Sequence, residues 1–276
     1  MTRRQWLLST AGCAGLAGGY STVVEPRWLE VVRTGVRVEG GQRGTVRLLQ
    51  LTDLHASWAV PWSLIDNAVT LGLAARPDII CLTGDFVTHR GDLDGGRYAG
   101  ILRRLSAAAP AFAVLGNHDG GSWAAARRGY ADHRVVERIL EDGGIALLHN
   151  RWVEVPVRDS AVTLVGVGDL WSEELEADRA FRGVSGAGPR VLLSHNPDSK
   201  TALEGFAWDL MLCGHTHGGQ VMIPFQGARY APVEDRRYVS GLNAFDGRWI
   251  YTSRGVGNLG SVRFRCRPEV TVIELS

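Results

Sequence analysis

The stretch Val46-Arg47-Leu48-Leu49-Gln50-Leu51-Thr52-Asp53-Leu54-His55 decides the fold. A short apolar run, the length of a buried strand, ends where an aspartate and then a histidine appear. Four more segments repeat the arrangement. Asp78 to Leu82 runs into Gly84-Asp85, and Ala111 to Leu115 into Gly116-Asn117-His118-Asp119. Arg190 to Leu193 runs into Ser194-His195-Asn196, and Asp209 to Cys213 into Gly214-His215-Thr216-His217. Helical spacing over Trp62 to Leu73, Tyr98 to Ala108 and Ala131 to Glu141 separates the first of them. Strand, motif, helix, repeated, is an α/β pattern. Ligands of such folds gather at the carboxyl ends of the strands, where all five motifs fall. Further strands are expected at Leu29 to Arg37, Ala146 to Leu148, Trp152 to Val155 and Ala161 to Val167, with two or three between Trp249 and Glu274.

The composition narrows the chemistry. Of 276 residues, 45% are hydrophobic and 21% charged, and no apolar run approaches 18 residues, which argues against a polytopic membrane protein. A net charge of +1 gives no reason to expect nucleic-acid binding. Lys200 is the only lysine and stands in no Walker context, and there is no Gly-x-Ser-x-Gly elbow, so P-loop and α/β-hydrolase chemistry are set aside. Cys13, Cys81, Cys213 and Cys266 form no Cys-x-x-Cys pair; Cys81 and Cys213 read as small core residues.

The motifs together hold three aspartates, two asparagines and five histidines. Two divalent cations about 3.5–4 Å apart clamp a phosphoryl group and generate a nucleophile between them. A carboxylate that bridges both offsets their repulsion. Asp85 is the candidate, since it ends a buried strand and Gly84 lets the backbone turn. Asp53 and His55, and likewise His215 and His217, are two residues apart and project to one side if the backbone stays extended. Asn117 adds a neutral oxygen. Mixed nitrogen and oxygen donors suit manganese first, with iron or zinc as alternatives, over calcium or magnesium.

This set and its order resemble the calcineurin-like metallophosphoesterase superfamily. The segments Ser194-His195-Asn196-Pro197-Asp198, Gly214 to Gln220, Ile223-Pro224-Phe225 and Thr252 to Gly257 resemble a bacterial branch of exported phosphodiesterases, the YkuE/YaeI kind, related to UDP-2,3-diacylglucosamine pyrophosphatases of lipid A synthesis. The resemblance implies a four-layer αββα sandwich, with two mixed sheets packed face to face and helices outside. It implies one metal on Asp53, His55, Asp85 and His217, and another on Asp85, Asn117, His195 and His215. His118 would stabilise the transition state or protonate the leaving oxygen, with Asp119 holding its far ring nitrogen. The implied reaction is hydrolysis of a phosphodiester or pyrophosphate, in a small-molecule, envelope or lipid-linked substrate, by attack of metal-bound hydroxide. A lipid A pyrophosphatase and a catalytically silent metal-binding envelope protein are the alternatives. No cap insert of the kind that binds a glucosamine lipid is evident, and no obligate protein partner is indicated.

The chain opens Met-Thr-Arg3-Arg4-Gln-Trp6-Leu7-Leu8, followed by a weakly apolar, glycine-rich stretch. Residues 1–22 read as a twin-arginine-like signal or an N-terminal anchor, and residues 23–276 as a single metallophosphoesterase catalytic domain. The expected place is the periplasm or cell envelope, with membrane-surface association through the N-terminus. Outside the motifs, His89, His133 and His149 read as surface or capping residues, although His89 and Arg90 follow Asp85 closely enough to reach a substrate. Asp92-Leu93-Asp94-Gly95 reads as a solvated loop rather than a calcium site. Arg254 is open between a phosphate clamp and a structural ion pair. Trp58 and Trp62 read as packing residues ahead of groove-lining ones.

Overall fold

The structure, a computed structural model, describes residue 15 and residues 18–38, 44–91, 93–186 and 188–276. The double arginine, Cys13, residues 39–43 and Asp92 lie outside the described residues.

One sheet contains β1 (Glu30–Val36), β2 (Val46–Leu51), β3 (Ile79–Thr83), β4 (Ala111–Val114), β5 (Ala146–Leu147) and β12 (Glu269–Leu275), in the order β1-β12-β2-β3-β4-β5. The other contains β6 (Arg151–Val157), β7 (Ser160–Gly166), β8 (Arg190–Leu193), β9 (Leu210–Cys213), β10 (Gly241–Phe245) and β11 (Arg248–Thr252), in the order β10-β11-β9-β8-β7-β6. Both sheets are mixed. β2, β3, β4 and β5 run parallel with β12 antiparallel beside them, and β7, β8, β9 and β11 run parallel between antiparallel edges.

The strands lack apolar–polar alternation because both of their faces are covered. Leu48, Ile79, Cys81 and Phe112 point into the core between the sheets, where they meet Leu164, Val191, Leu193 and Leu212. Leu49, Leu51, Ile80 and Leu82, one register step away, point to the helices instead. Those helices are α1 (Trp62–Leu73), α2 (Gly95–Ser106) and α4 (Arg134–Asp142); α3 (Gly121–Ala125) is a single turn. α1 buries Leu64, Ile65, Ala68, Val69 and Gly72, one stripe of a 3.6-residue repeat. Gly72 lies so close to the sheet that a Cβ there would stand 2.7 Å from Leu49. The outer face of the second sheet is covered by a thinner layer: α5 (Ala177–Ala180), 3-10 turns, and Leu203, Trp208 and Tyr238.

Several elements depart from expectation: α3 and α5 were not foreseen, and α4 starts at Arg134, three residues after Ala131. α2 starts at Gly95, three residues before Tyr98, because the Asp94 side chain accepts the Arg97 amide at 2.9 Å and offsets the two glycines of the first turn. β10 was not foreseen. It forms a hairpin with β11 through Asp246-Gly247, both left-handed at φ 47° and 74°, which is the signature of a two-residue turn. The stretch read as a solvated loop is part helix cap, since Asp94 is the α2 cap.

Candidate metal centre

Five strand ends converge. β2, β3 and β4 are neighbours in one sheet, β8 and β9 in the other, and each delivers its motif to the same edge of the sandwich. Gln50 ties the sheets beneath the site, its Nε2 donating to Thr83 Oγ1 and to the Cys213 carbonyl, both at 2.9 Å. The loops after β2 and β3 stay zipped beyond the sheet: the Asp53 amide donates to the Gly84 carbonyl and that of His55 to the Asp85 carbonyl, both at 2.9 Å.

The backbone there is not extended, so the same-side projection expected of Asp53 and His55, and of His215 and His217, does not come from a two-residue repeat. Asp53, His55, Asp85, His215 and His217 have φ between 47° and 68°, the left-handed region that costs an L side chain about 1–2 kcal/mol. Each kink turns its side chain inward, and such outliers concentrate where function over-determines the backbone. Gly84, at φ 88°, is required, since a Cβ there would sit 2.6 Å from the Gly116 nitrogen.

Asp53, His55, Asp85, Asn117, His195, His215 and His217 are all buried. Donor atoms of Asp53, His55 and His217 lie within 4.8 Å of one another, as do those of Asp53, Asp85 and His195. Asp85 Oδ2 stands 3.3 Å from both His55 Nε2 and His195 Nε2. His55 Nε2 faces His217 Nε2 at 3.0 Å, and His215 Nδ1 faces His195 Nε2 at 3.2 Å. His195 Nδ1 is 2.8 Å from the Thr83 carbonyl, which can only accept, so that nitrogen carries a proton and Nε2 is the ring atom that faces the centre. Acceptors that face one another in a buried site need a proton or a cation between them. Asn117 Oδ1 and His215 Nε2 are buried with no hydrogen-bond partner. This donor set fits divalent metal ions.

The charges balance in the same way. Burial disfavours ionised Asp85, but His195 and His118 outweigh it and hold the carboxyl well below its usual range. Burial likewise opposes a charged His195, and Asp85 overcomes it, raising the imidazole well above its ordinary value. Burial pulls His215 and His217 well below theirs, the state in which imidazole binds metal.

His118 is half-buried at the edge of the cluster. Its Nδ1 lies 2.9 Å from the Thr88 carbonyl and therefore donates, which leaves Nε2 free; burial lowers its pKa. The partner expected for it, Asp119, does something else. The Asp119 carboxylate accepts the amides of Asp85 (2.8 Å), Phe86 (2.7 Å), Val87 (3.2 Å) and Gly116 (2.8 Å). Side-chain direction explains the difference: Asp119 turns back under the motif and clamps the loop after β3 to the loop after β4. Burial, then the nearby Asp85, raises its pKa to about 7. Asp119→Ala is expected to cost about 3–5 kcal/mol of stability, because it removes a buried charged acceptor and strands its donors. Urea denaturation checks this; a shift equivalent to about 1 kcal/mol or less would show that water replaces the carboxylate.

Other candidates sort clearly. Arg254 is a structural ion pair, donating to Glu269 at 2.6 Å and Glu30 at 2.8 Å, and so joins β12 to β1. His133 pairs with Glu174 at 2.8 Å and His149 lies 3.9 Å from the same carboxylate, both away from the cluster. His89 is exposed and, with Arg90, Trp58 and Trp62, lines a groove of about 450 Å³ beside the centre; Trp62 also packs on Tyr98.

Several neighbours of the centre were missed. Trp171 meets His215 edge-on at 4.2 Å, Trp123 meets His118 at 4.8 Å, and the two tryptophans lie 5.6 Å apart. Arg263 is wholly buried behind His217, donating to the Arg254, Gly255 and Gly257 carbonyls. Asp169 is buried, with Oδ2 unpartnered. Asp169 had a legible signal, since it follows β7 as the other motifs follow their strands.

A profile of the calcineurin-like phosphoesterases matches residues 46–219, the segment that carries every residue of the cluster. The chain belongs to that family. It is a metallophosphoesterase, a metal-dependent phosphoric ester hydrolase. It is 41% identical over 277 residues to the phosphodiesterase YaeI of Escherichia coli, covering 100% of this chain and 99% of that one. It is 26% identical to the UDP-2,3-diacylglucosamine pyrophosphatase LpxG of Chlamydia trachomatis, over 83% of each chain. The sulfate thiohydrolase SoxB of Thermus thermophilus superposes at a TM-score of 0.52 with 14% identity, over 85% of this chain and 57% of that one, a likeness of fold.

Proposed function

We propose that this metallophosphoesterase is a binuclear phosphodiesterase of the cell envelope that hydrolyses a phosphodiester or pyrophosphate bond in an envelope or lipid-linked substrate. The observation that carries this reading is Asp85, whose one carboxylate oxygen stands equally far from His55 and His195. In it, Asp53, His55, Asp85 and His217 hold one ion, and Asp85, Asn117, His195 and His215 the other. Bound there, two divalent ions, manganese in the first instance, supply charge stabilisation for the phosphoryl oxygens and a nucleophile at neutral pH. The protein's own residues do the rest. As the imidazolium, His118 keeps its Nδ1 proton on the Thr88 carbonyl and gives its Nε2 proton to the leaving oxygen, ending as the neutral ring. Asp119 keeps the two loops in register. The indole of Trp171 limits water on the His215 side. The 41% identity to a phosphodiesterase, spread along the whole chain, supports this reading over the lipid A pyrophosphatase, whose named relative is 26% identical.

The proposal extends to export through residues 1–22, with membrane-surface association through the same segment. Fusing residues 1–35 to a reporter and replacing Arg3 and Arg4 with lysine tests this; export that persists unchanged refutes a twin-arginine route.

Chelation is expected to remove hydrolysis of bis-p-nitrophenyl phosphate and to lower the melting temperature, because facing acceptors and unpartnered donors are then left without cations. Manganese should restore both. Full activity after exhaustive dialysis against chelator, with no metal by elemental analysis, would refute the proposal. Screening nucleotide-sugar lipids against envelope phosphodiesters then identifies the substrate.

A further inference from the structure

The rim around the candidate centre is apolar and unusually exposed. Phe225 is fully exposed, Trp58 85% and Tyr230 74% exposed, and Leu259 is exposed as well. Hydrogen bonds join these residues into one surface. Ser261 Oγ donates to the Ala59 carbonyl at 3.3 Å, and Gln220 exchanges two bonds with the backbone of Leu259, at 2.8 and 2.9 Å. Val221 pairs with Phe264, and the chain then turns back through a tight loop in which the Ile223 amide donates to the Gly227 carbonyl. Phe225 sits at the tip of that loop with φ 65°, a conformation rare for a bulky side chain. Neither packing nor backbone preference accounts for an aromatic residue there.

Two grooves open on this rim, and the second of them reaches the cluster. One, about 450 Å³, is lined by Trp58, Trp62, His89 and Arg90. The other, about 290 Å³, has His215 and His217 at one end and Val221, Tyr230 and Leu259 at the other. Basic residues stand among the aromatics. Among the described residues, Arg90, Arg229 and Arg236 have no acidic side chain within 4.0 Å; Arg236 donates to the Ala228 and Arg229 carbonyls and so sits against the Phe225 loop. The N-terminal segment enters beside this face, for the Arg263 amide donates to the Ser21 carbonyl at 2.8 Å, and Val23 and Val24 are exposed there.

We propose that this rim docks on an anionic lipid bilayer, with Phe225 and Trp58 in the headgroup region and Arg90, Arg229 and Arg236 against lipid phosphates, so that the grooves open at the membrane surface. Aromatic tips with arginines between them are what an anionic interface favours. A patch of this kind on a soluble surface otherwise marks a binding site or an aggregation hazard. The inference rests on the lipid-linked reading above for its use but not for its physics. Binding to vesicles and turnover of a soluble diester are read separately.

The test is co-sedimentation of the full chain with vesicles of phosphatidylcholine alone or mixed with phosphatidylglycerol. Phe225→Ser is expected to weaken binding to both by roughly tenfold, the worth of one buried phenyl ring. Arg229→Glu is expected to weaken binding roughly tenfold on the mixed vesicles only. Turnover of bis-p-nitrophenyl phosphate without vesicles should be unchanged in both. A second measurement separates the rim from the association proposed for the N-terminus. An environment-sensitive dye on Phe225→Cys, in a Cys13→Ser background, should shift to the blue on adding mixed vesicles, and the same dye on Arg138→Cys should not. No shift at either position overturns the proposal. So does a dye at position 225 that shifts with protein concentration instead of lipid, which would make the rim a contact between two copies of the chain.

Discussion

Asp85→Asn is expected to reduce hydrolysis of phosphodiesters to background and to lower bound metal from about two equivalents to less than one. The substitution keeps the shape and removes the charge. In the parent protein Asp85 Oδ2 is 3.3 Å from both His55 and His195, and Oδ1 accepts the His118 amide at 3.0 Å. One carboxylate thus reaches both halves of the cluster and the backbone of the proposed leaving-group residue. Elemental analysis and bis-p-nitrophenyl phosphate turnover check the expectation. Asp53→Asn makes the discriminating comparison, because Asp53 belongs to both groups of converging donors. If Asp53→Asn empties both positions while Asp85→Asn keeps one ion and measurable rate, the bridge is Asp53. Two tightly bound ions and a near-normal rate in Asp85→Asn would end the bridging assignment.

His118→Ala is expected to keep both metals and lose roughly 10²–10⁴ in turnover, the usual worth of a positioned acid or charge stabiliser. The ring lies 5.0 Å from that of His55 and 4.8 Å from Trp123, and its Nδ1 is committed to the Thr88 carbonyl, so Nε2 alone is available to the substrate. A leaving group with a low pKa needs little protonation, so the loss should be smaller for p-nitrophenyl esters than for alkyl esters. An equal loss for both would identify charge stabilisation as the role. Loss of metal along with activity would make His118 a ligand. Since Thr88 orients the ring through its main chain, Asp119→Ala should act on stability first, and His118→Ala on rate without a matching loss of stability.

These expectations rest partly on what was legible without coordinates. The strands β2, β3, β4, β8 and β9 were readable because each is buried on both faces and so shows as an unbroken apolar run, ending where the chain turns polar. The α1 helix was readable from its stripe, and its ends follow from Pro61 and the residues after Leu73. The Asp246-Gly247 turn was equally legible and was passed over, which cost β10.

Local sequence by itself therefore determined which residue types stand at which strand ends, and with them the family and the metal-binding chemistry. It could do so because burial of a strand and the place where burial stops are properties of consecutive residues. Tertiary structure alone decided which groups those residues touch. Asp119 holds four amides on two loops, Arg254 joins the first strand to the last, and Phe225 stands unpacked at a loop tip. The inward turn of Asp53, His55, Asp85, His215 and His217 depends on left-handed backbone that their own propensities disfavour. It persists because contacts between the two sheets, distant in sequence, stabilise it, and the pairing of residues distant in the chain is written in no single stretch of it.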